Sequence, residues 1–258
     1  MSSSGTRADT TAPGDLLYLT DAARAFVDLG GLLVSAPLLL AALPRGDGHP
    51  VLVLPGLLAT DRSTTTLRAV LRGLGYGTYG WQLHRNVGPT ARAVDGMRTR
   101  LAALADRFRR PVSLIGWSLG GIYARQLARH TPDVVRQVIT LGSPFRLVRH
   151  DQSRAHRHFQ RYSHLHVEHW DLPLEGGQGP LPVPATSIYS PLDGVVAWRA
   201  CLDEPAPEAE NIGVLASHFG FGHHPAVIWA IADRLAQEPG RWARFRPPPL
   251  LRPAYLRP

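Results

Sequence analysis

Ser118 has the surroundings of a reactive hydroxyl. It lies in the segment GWSLGG, with Gly116 and Gly120 two residues to either side. The apolar run 111–115 predicts a buried strand before it, and 119–130 predicts a helix after it. A turn from strand to helix of this kind holds a hydroxyl above the end of a sheet, and the glycines leave room for so sharp a turn. The alternative is a plain glycine-rich turn without chemistry.

A serine hydroxyl becomes a nucleophile when a base takes its proton, and that base needs a third group to orient it. Where the serine occupies such a strand-to-helix turn, the chain order of these groups is serine, acid, histidine. Asp193 in SPLDGVV follows the predicted strand 183–189, and His218 in ASHFG follows the predicted strand 211–215. Because parallel strands end at one edge of a sheet, we predict Ser118 as nucleophile, His218 as base and Asp193 as the orienting acid.

Other residues compete for two of these roles. His223 and His224 are alternative bases, but they open the last predicted helix, where capping or surface roles are favoured. Asp133 is an alternative acid in a turn between helix and strand, and Asp151 is another in an irregular segment. None of the four directly follows a predicted strand, so each is a weaker candidate.

Acyl transfer also needs donors for the negative oxygen of a tetrahedral intermediate. The Leu119 N–H, at the start of the predicted helix, is one candidate. The loop PGLLATDRST after the first predicted core strand offers the Leu57 N–H as the second, because Gly56 permits a tight turn there. Gly56 and Trp117 are the predicted substrate-binding residues.

Strand-like and helix-like segments alternate over much of the chain. Apolar runs such as 51–55 are typical of strands buried on both faces, and 91–110 has a helical apolar stripe. The alternation predicts an α/β domain over 46–240, with a mostly parallel, doubly wound sheet and helices on both faces. Residues 145–181 do not continue this alternation of strands and helices, and they predict a functional or mobile insertion.

The two ends of the chain differ from this domain. Residues 1–14 are polar and predict a disordered tail, and 241–258 are rich in proline and arginine and predict an extended or disordered one. Residues 15–45 are apolar and predict an amphipathic helix followed by a short helical turn at 37–43. Its apolar stripe recurs at helical spacing in Ala22, Phe26, Leu29 and Leu33. We expect this helix to pack on the domain, with interfacial membrane contact as the alternative.

Charge and cysteine content exclude several classes. The net charge is +8, and all 28 basic residues are arginines spread along the chain without a nucleic-acid-binding pattern, so we expect no nucleic-acid partner. The single Cys201 excludes an internal disulfide and fits a reducing compartment. We therefore expect a cytoplasmic protein, membrane-associated if residues 15–45 contact lipid.

No metal or cofactor is expected. The irregular segment holds six histidines without a standard zinc spacing or a nearby cysteine: His150, His156, His158, His164, His166 and His169. A pH-sensitive segment is the alternative for them. No G-x-G-x-x-G follows the first strand, which disfavours a dinucleotide-dependent oxidoreductase.

Several segments together resemble the α/β-hydrolases of the lipase and esterase kind: VLVLPG, DRSTTTLRAVLRGLGY, GWSLGG, SPLDGVV and SHFGFGHHPAVIWAIADRLA. They cover about 50–236. The resemblance implies hydrolysis of small-molecule or lipid acyl esters through an acyl-enzyme on Ser118, an oxyanion hole from Leu57 and Leu119, and a lid at 145–181. True lipases commonly carry His where this chain has Pro before Gly56, which favours a general esterase.

Two other functions fit the same residues. A thioesterase or acyltransferase would use the same three side chains with a different acceptor and pocket. A catalytically silent binding protein with a hydrolase fold is the second, disfavoured by the complete set of serine, aspartate and histidine. A haloalkane dehalogenase would need aspartate at position 118.

Overall fold

A six-stranded parallel sheet forms the centre of the molecule in the computed structural model, which describes residues 11–147, 152–167 and 179–256. The strand order is β2–β1–β3–β4–β5–β6, and each neighbouring pair is parallel. The strands are β1 Pro50–Leu54, β2 Gly77–Gly80, β3 Val112–Trp117, β4 Val135–Leu141, β5 Ala185–Tyr189 and β6 Ala209–Gly213.

Helices lie between most of these strands and before the first one. The described α-helices are α1 Asp15–Ala42, α2 Thr65–Gly73, α3 Ala91–Phe108, α4 Leu119–His130, α5 His156–Arg161 and α6 Pro225–Leu235. The predicted doubly wound, mostly parallel sheet is confirmed.

Both faces of the sheet are covered by apolar side chains. In β1, Val51 and Val53 join a core cluster with residues of α1, α2 and α6, while Leu52 and Leu54 join a second cluster with α3 and α4. This division follows from the strand geometry, because successive side chains point to opposite faces. A fully buried Val or Leu stabilises the fold by roughly 1.5–3 kcal/mol, so the two clusters hold the strand ends in place.

The N-terminal helix differs from the prediction in its length. α1 is one continuous helix of 28 residues with Pro37 inside it, so there is no separate turn at 37–43. An internal proline removes the hydrogen bond to the carbonyl four residues earlier, here that of Leu33. Leu33 and Pro37 lie on the exposed side of α1, where water can satisfy that carbonyl.

The face that α1 turns to the domain also differs from the predicted stripe. Phe26 and Leu33 of that stripe are 75% and 70% exposed. The buried residues are Asp21, Ala25, Leu32 and Leu39. Backbone amides of the domain are the reason, because they donate hydrogen bonds to the carboxylates of Asp21 and Asp28 and so fix the rotation of the helix.

The C-terminal segment packs onto the domain over its described part. Tyr255 is buried, forms an antiparallel bridge with Val214 and donates its hydroxyl hydrogen to the Ala226 carbonyl at 2.8 Å. Phe245 packs against the Tyr255 ring at 5.0 Å. Residues 241–248 form no helix or strand, and these aromatic side chains pack the segment against a core cluster of the domain.

Parts of two other predictions fall outside the described residues. These parts are residues 1–10 of the predicted N-terminal tail, and residues 148–151 and 168–178 of the predicted lid. Within the rest of 145–181, α5 and a 3₁₀ turn at Ser163–Leu165 carry three of the six histidines, and His166 directly follows the turn.

A buried ion pair joins α4 to the segment before β6. The Arg125 guanidinium meets both carboxylate oxygens of Asp203, at 2.6 and 3.1 Å, and the two side chains are only 9% and 6% exposed. The guanidinium also lies 3.8 Å from the centre of the Phe145 ring. Removing one member would leave the other charge buried and unpaired.

We expect Asp203→Ala to lower the free energy of unfolding by roughly 3–5 kcal/mol, because Arg125 would lose its buried partner. Urea unfolding followed by circular dichroism measures this change. The matched control is Glu204→Ala, whose pair with Arg146 lies at the surface and should contribute less than about 1 kcal/mol. Equal effects of the two substitutions would contradict this account.

Candidate active site

Ser118 sits on a strained turn between β3 and α4. Its φ of 53° and ψ of −121° lie outside the regions that residues with side chains ordinarily adopt. Its N–H donates to the Leu141 carbonyl at 2.8 Å, which continues the pairing of β3 with β4. The neighbouring strands thus hold the strained residue in place at the end of the sheet.

The glycines around Ser118 are required by close backbone contacts. A Cβ at Gly116 would lie 2.3 Å from the Gly120 carbonyl oxygen, and one at Gly120 would lie 2.3 Å from the Leu54 carbonyl oxygen. Real Cβ atoms do not approach other atoms so closely. The turn that the sequence predicted from GWSLGG therefore depends on both glycines.

Asp193 and His218 lie on the loops that follow β5 and β6. The Asp193 Oδ2 and His218 Nδ1 atoms are 2.7 Å apart, and both side chains are almost completely buried. The other oxygen, Asp193 Oδ1, accepts hydrogen bonds from the Val195 and Val196 amides, each at 2.8 Å. The loop backbone thus fixes the carboxylate, and the carboxylate orients the imidazole.

The surroundings of His218 alter its protonation. Burial lowers the pKa of His218, but the charge and hydrogen bond of Asp193, together with the charge of Asp21, outweigh burial and raise that pKa above its usual value. A raised pKa strengthens the imidazole as a proton acceptor.

Ser118 and His218 line one pocket of about 400 Å³. Among the described residues, neither Ser118 Oγ nor His218 Nε2 has a hydrogen-bond partner, and no hydrogen bond joins the two. Such contacts are often long before a substrate binds. The pocket walls are mainly apolar, with Tyr18, Leu57, Val195 and Phe219 among them.

The predicted oxyanion donors lie beside this pocket. A Cβ at Gly56 would be 3.8 Å from Ser118 Oγ, so the loop after β1 passes close to the hydroxyl, and Leu57 lines the pocket. Leu119 is the first residue of α4. Among the described residues, the amides of Leu57 and Leu119 donate to no other group, which leaves both amides available to a substrate oxygen.

Trp117 lines the pocket next to Ser118 and also contacts the histidine loop. Its indole N–H donates to the His218 carbonyl at 3.1 Å. Trp117 therefore connects the backbone of β3 to that of the loop after β6, in addition to the substrate contact that the sequence predicted.

The competing candidates lie elsewhere or in other roles. His224 caps α6 by accepting a hydrogen bond from the Ala226 amide, and His223 contacts the Ala25 carbonyl at 2.8 Å. Asp133 lies in a 3₁₀ turn before β4, and Asp151 lies outside the described residues. Within the described part of the chain, no group of three or more metal-ligating side chains is clustered.

A second serine, histidine and aspartate meet near the opposite ends of β1 and β3. His49 Nε2 lies 3.0 Å from Ser113 Oγ, and His49 Nδ1 contacts Asp47 Oδ1. Ser113 and His49 are both completely buried, so no substrate reaches them. Burial also lowers the pKa of His49, although Asp47 partly offsets it. Pocket access and the strained turn therefore distinguish Ser118 from Ser113.

Sequence reasoning missed the charged residues on the inner face of α1. Asp21, Arg24 and Asp28 all contact the loops that carry Asp193 and His218. Their spacing of three and four residues places them on one face of an otherwise apolar helix. That pattern was the available signal, but nothing in the sequence pointed to partners more than 160 residues away.

We expect the imidazole of His218 to titrate with a pKa above its usual value, and Asp193→Asn to lower that pKa, because the substitution removes the stabilising negative charge. Histidine side-chain NMR over a pH series measures both, with the resonance assigned from His218→Gln. A pKa that is unchanged by Asp193→Asn would contradict the geometry described here.

Solved structures similar to this chain are enzymes with the same architecture. Lipase B from Aspergillus fumigatus has a TM-score of 0.56 at 16% identity, over 78% of this chain and 56% of the lipase. The mature lipase BlEst2 from Bacillus licheniformis has a TM-score of 0.51 at 16% identity, over 75% and 94% of the two chains. An α/β-hydrolase from the sediment metagenome of the Mar Chica lagoon, Morocco, has a TM-score of 0.50 at 17% identity, over 74% and 91%.

No protein-family model matches the sequence, and no curated protein is similar to it. The likeness to solved structures thus concerns the arrangement of strands and helices, which agrees with the resemblance that the sequence motifs carry. The chain has the α/β-hydrolase fold.

Proposed function

We propose that the protein is a serine hydrolase that cleaves carboxylic esters through an acyl-enzyme. One observation carries this proposal: Ser118, on its strained turn, lines the same pocket as His218. The Nδ1 atom of that histidine lies 2.7 Å from the Asp193 carboxylate. The similar lipase structures support it.

In the proposed reaction, Ser118 Oγ attacks the ester carbonyl while His218 Nε2 takes the hydroxyl proton. The amides of Leu57 and Leu119 donate to the negative oxygen of the tetrahedral intermediate. The C–O bond to the alcohol then breaks, and His218 returns its proton to the leaving alkoxide. Water repeats the sequence on the acyl-enzyme and releases the acid. The Asp193 carboxylate stabilises the imidazolium that forms in each half.

The pocket supports a small or medium-sized acyl ester as substrate. Its volume of about 400 Å³ lies in the range of about 300–1,000 Å³ that is common for small-molecule sites. Its apolar walls suit an acyl chain, and Arg154 and His158 supply polar groups at one side. The proposed mechanism needs no metal or cofactor.

A thioesterase or acyltransferase is the second candidate, because the same side chains attack thioesters and can pass the acyl group to an acceptor other than water. Arg154 lines the pocket, but its guanidinium already pairs with Asp15 at 2.6 Å and donates to the Pro13 carbonyl, so it does not select between the two candidates. The ester hydrolase and the thioesterase or acyltransferase differ in the leaving group and in the acyl acceptor. Assays with both kinds of substrate in parallel therefore distinguish them.

We expect Ser118→Ala to abolish labelling by a fluorophosphonate probe and to lower kcat for p-nitrophenyl esters by a factor on the order of 10⁴ or more, since the nucleophile is lost. Gel fluorescence and ester turnover measure these effects. Ser63→Ala is the matched control, since Ser63 lines the same pocket but its hydroxyl donates to the Thr60 carbonyl.

Labelling that persists in Ser118→Ala would refute the proposed nucleophile, and a wild type that neither labels nor turns over would favour a binding protein. A p-nitrophenyl ester series of increasing acyl length then identifies the acyl group accepted. Acyl-coenzyme A substrates assayed in parallel test the thioesterase candidate.

We also propose that α1 lies on the surface of a lipid bilayer. α1 is the one helix among the described residues that is long and apolar enough to cross a membrane. Its polarity is reversed for a helix in water: Asp21 is buried, while seven large apolar side chains are at least 70% exposed. They are Leu16, Leu19, Phe26, Val27, Leu33, Val34 and Leu38.

The apolar face of α1 continues to the mouth of the pocket. Tyr18 on α1 and Phe219 beside His218 both line the pocket, and they are 40% and 49% exposed. A bilayer would cover this face and leave the pocket open to lipid esters, whereas a second copy of the chain would obstruct it. The net charge of +8 favours anionic lipid.

We expect the protein to float with vesicles of phosphatidylcholine and phosphatidylglycerol on a sucrose gradient. Phe26→Glu with Val34→Glu should weaken this binding by about tenfold or more, because each buried apolar side chain contributes roughly 1.5–3 kcal/mol. Leu165→Glu is the control, an exposed apolar residue outside α1. Wild type that does not float, or that forms a dimer disrupted by the double variant, would refute the lipid assignment.

A further inference from the structure

The carboxylate of Asp21 connects the two loops that carry Asp193 and His218. Asp21 is completely buried on the inner face of α1. Its Oδ2 accepts hydrogen bonds from the Gly194 amide at 2.8 Å and the His218 amide at 2.9 Å, and its Oδ1 accepts one from the Phe219 amide at 2.9 Å. One side chain thus satisfies three amides of two loops.

These amides belong to the residues on which the site depends. Gly194 directly follows Asp193, and the second amide is that of His218 itself. The side-chain hydrogen bond between Asp193 and His218 therefore has a counterpart on the backbone side, where Asp21 sets the separation of the two loops. Displacing either amide would move the carboxylate or the imidazole with it.

Neighbouring residues of α1 strengthen this connection. Arg24 contacts Asp21 at 3.2 Å and donates to the Leu192 carbonyl at 2.7 Å, just before Asp193. Asp28 accepts from the amide and hydroxyl of Ser217, at 3.1 and 2.6 Å, just before His218. The packing is close, since a Cβ at Gly194 would lie 2.8 Å from Asp21 Oδ2.

Asp21 also acts on His218 by its charge. Burial lowers the pKa of that imidazole, and the negative charges of Asp193 and Asp21 raise it. Other charged or titratable groups near His218 are Arg24 and Asp28 on α1, His223 and His224 before α6, and Arg154 and His158 in the pocket wall. Of these, Arg24 pairs directly with Asp21 and partly neutralises its charge.

We propose that Asp21 is a positioning residue of the hydrolase: it holds Asp193 and His218 in register through three backbone amides. This inference rests on the proposed function. The rival explanation is that Asp21 only anchors α1 to the domain. An anchor would affect stability, but it would leave kcat of the folded enzyme unchanged.

The test compares kcat, KM and the pH dependence of kcat/KM for the best p-nitrophenyl ester in wild type and Asp21→Asn. We expect kcat to fall about 10- to 100-fold with little change in KM, since small misplacements of reacting groups have effects of this size. The acidic limb should move to lower pH, because loss of the negative charge lowers the pKa of His218 and leaves it neutral at lower pH.

Two further variants separate positioning from anchoring. Arg24→Met removes the cation beside Asp21, so its acidic limb should move the opposite way, to higher pH. This variant also keeps the proposal testable if Asp21→Asn does not fold. Leu39→Ala removes a buried side chain of α1 far along the helix from Asp21. It should lower the melting temperature while leaving kcat and the pH profile unchanged.

The outcomes distinguish this inference from the proposed function. If wild type shows no Ser118-dependent turnover, the proposed function fails, and NMR titration of His218 in Asp21→Asn still tests the positioning role. If wild type is active and Asp21→Asn matches it in kcat and acidic limb, or if Arg24→Met and Asp21→Asn shift that limb in the same direction, the positioning role is refuted.

Discussion

The site depends on keeping one hydrogen bond, between Asp193 and His218, aligned and shielded from water. The two residues lie on separate loops after neighbouring strands, so the parallel pairing of β5 and β6 sets their approximate distance. Each partner is then fixed a second time, Asp193 by the amides of its own loop and His218 by Asp21. Because both side chains are buried, their electrostatic interaction is stronger than it would be in water.

The position of Ser118 relative to this pair is fixed in a different way, through its backbone. Its strained backbone is held by the ladder between β3 and β4 on one side and by contacts between glycines on the other. The buried pair of His49 and Ser113 shows that a serine beside an oriented histidine is not sufficient. What the candidate site adds is a pocket and a strained turn at the carboxyl edge of the sheet.

The sheet and the turn at Ser118 were predicted well from the sequence, because both are encoded locally. Buried strands are recognised by continuous apolar runs, and the turn is recognised by glycines at fixed offsets from Ser118. Sequence reasoning placed Asp193 and His218 correctly at strand ends, where the structure brings them together. For α1 it chose the wrong face of the helix, since helical spacing of apolar residues gives no sign of which face is buried. Long-range hydrogen bonds to Asp21 decided that question.

The packing of the C-terminal segment is not encoded in its composition either. Prolines and arginines dominate that composition, but Tyr255 joins the segment to Val214 and α6 through a bridge and a hydroxyl hydrogen bond, and the Phe245 and Leu256 amides donate to Glu210 and Gly213 of β6. Composition averages over a segment, whereas a few specific contacts can order it. The histidine-rich segment 145–181 is a further case, because its composition did not predict how its side chains are arranged.

The connection between α1 and the two loops has a consequence for how the molecule is made. Asp21 is separated from Gly194 by 173 residues and from His218 by 197 residues. A ribosome therefore releases Asp21 well before it has made Gly194 and His218. Contacts of such long sequence separation form slowly, because a large chain entropy must be lost before they stabilise anything. The Asp21 carboxylate therefore stays hydrated while the intervening residues are synthesised, and the cluster assembles only after His218 has emerged.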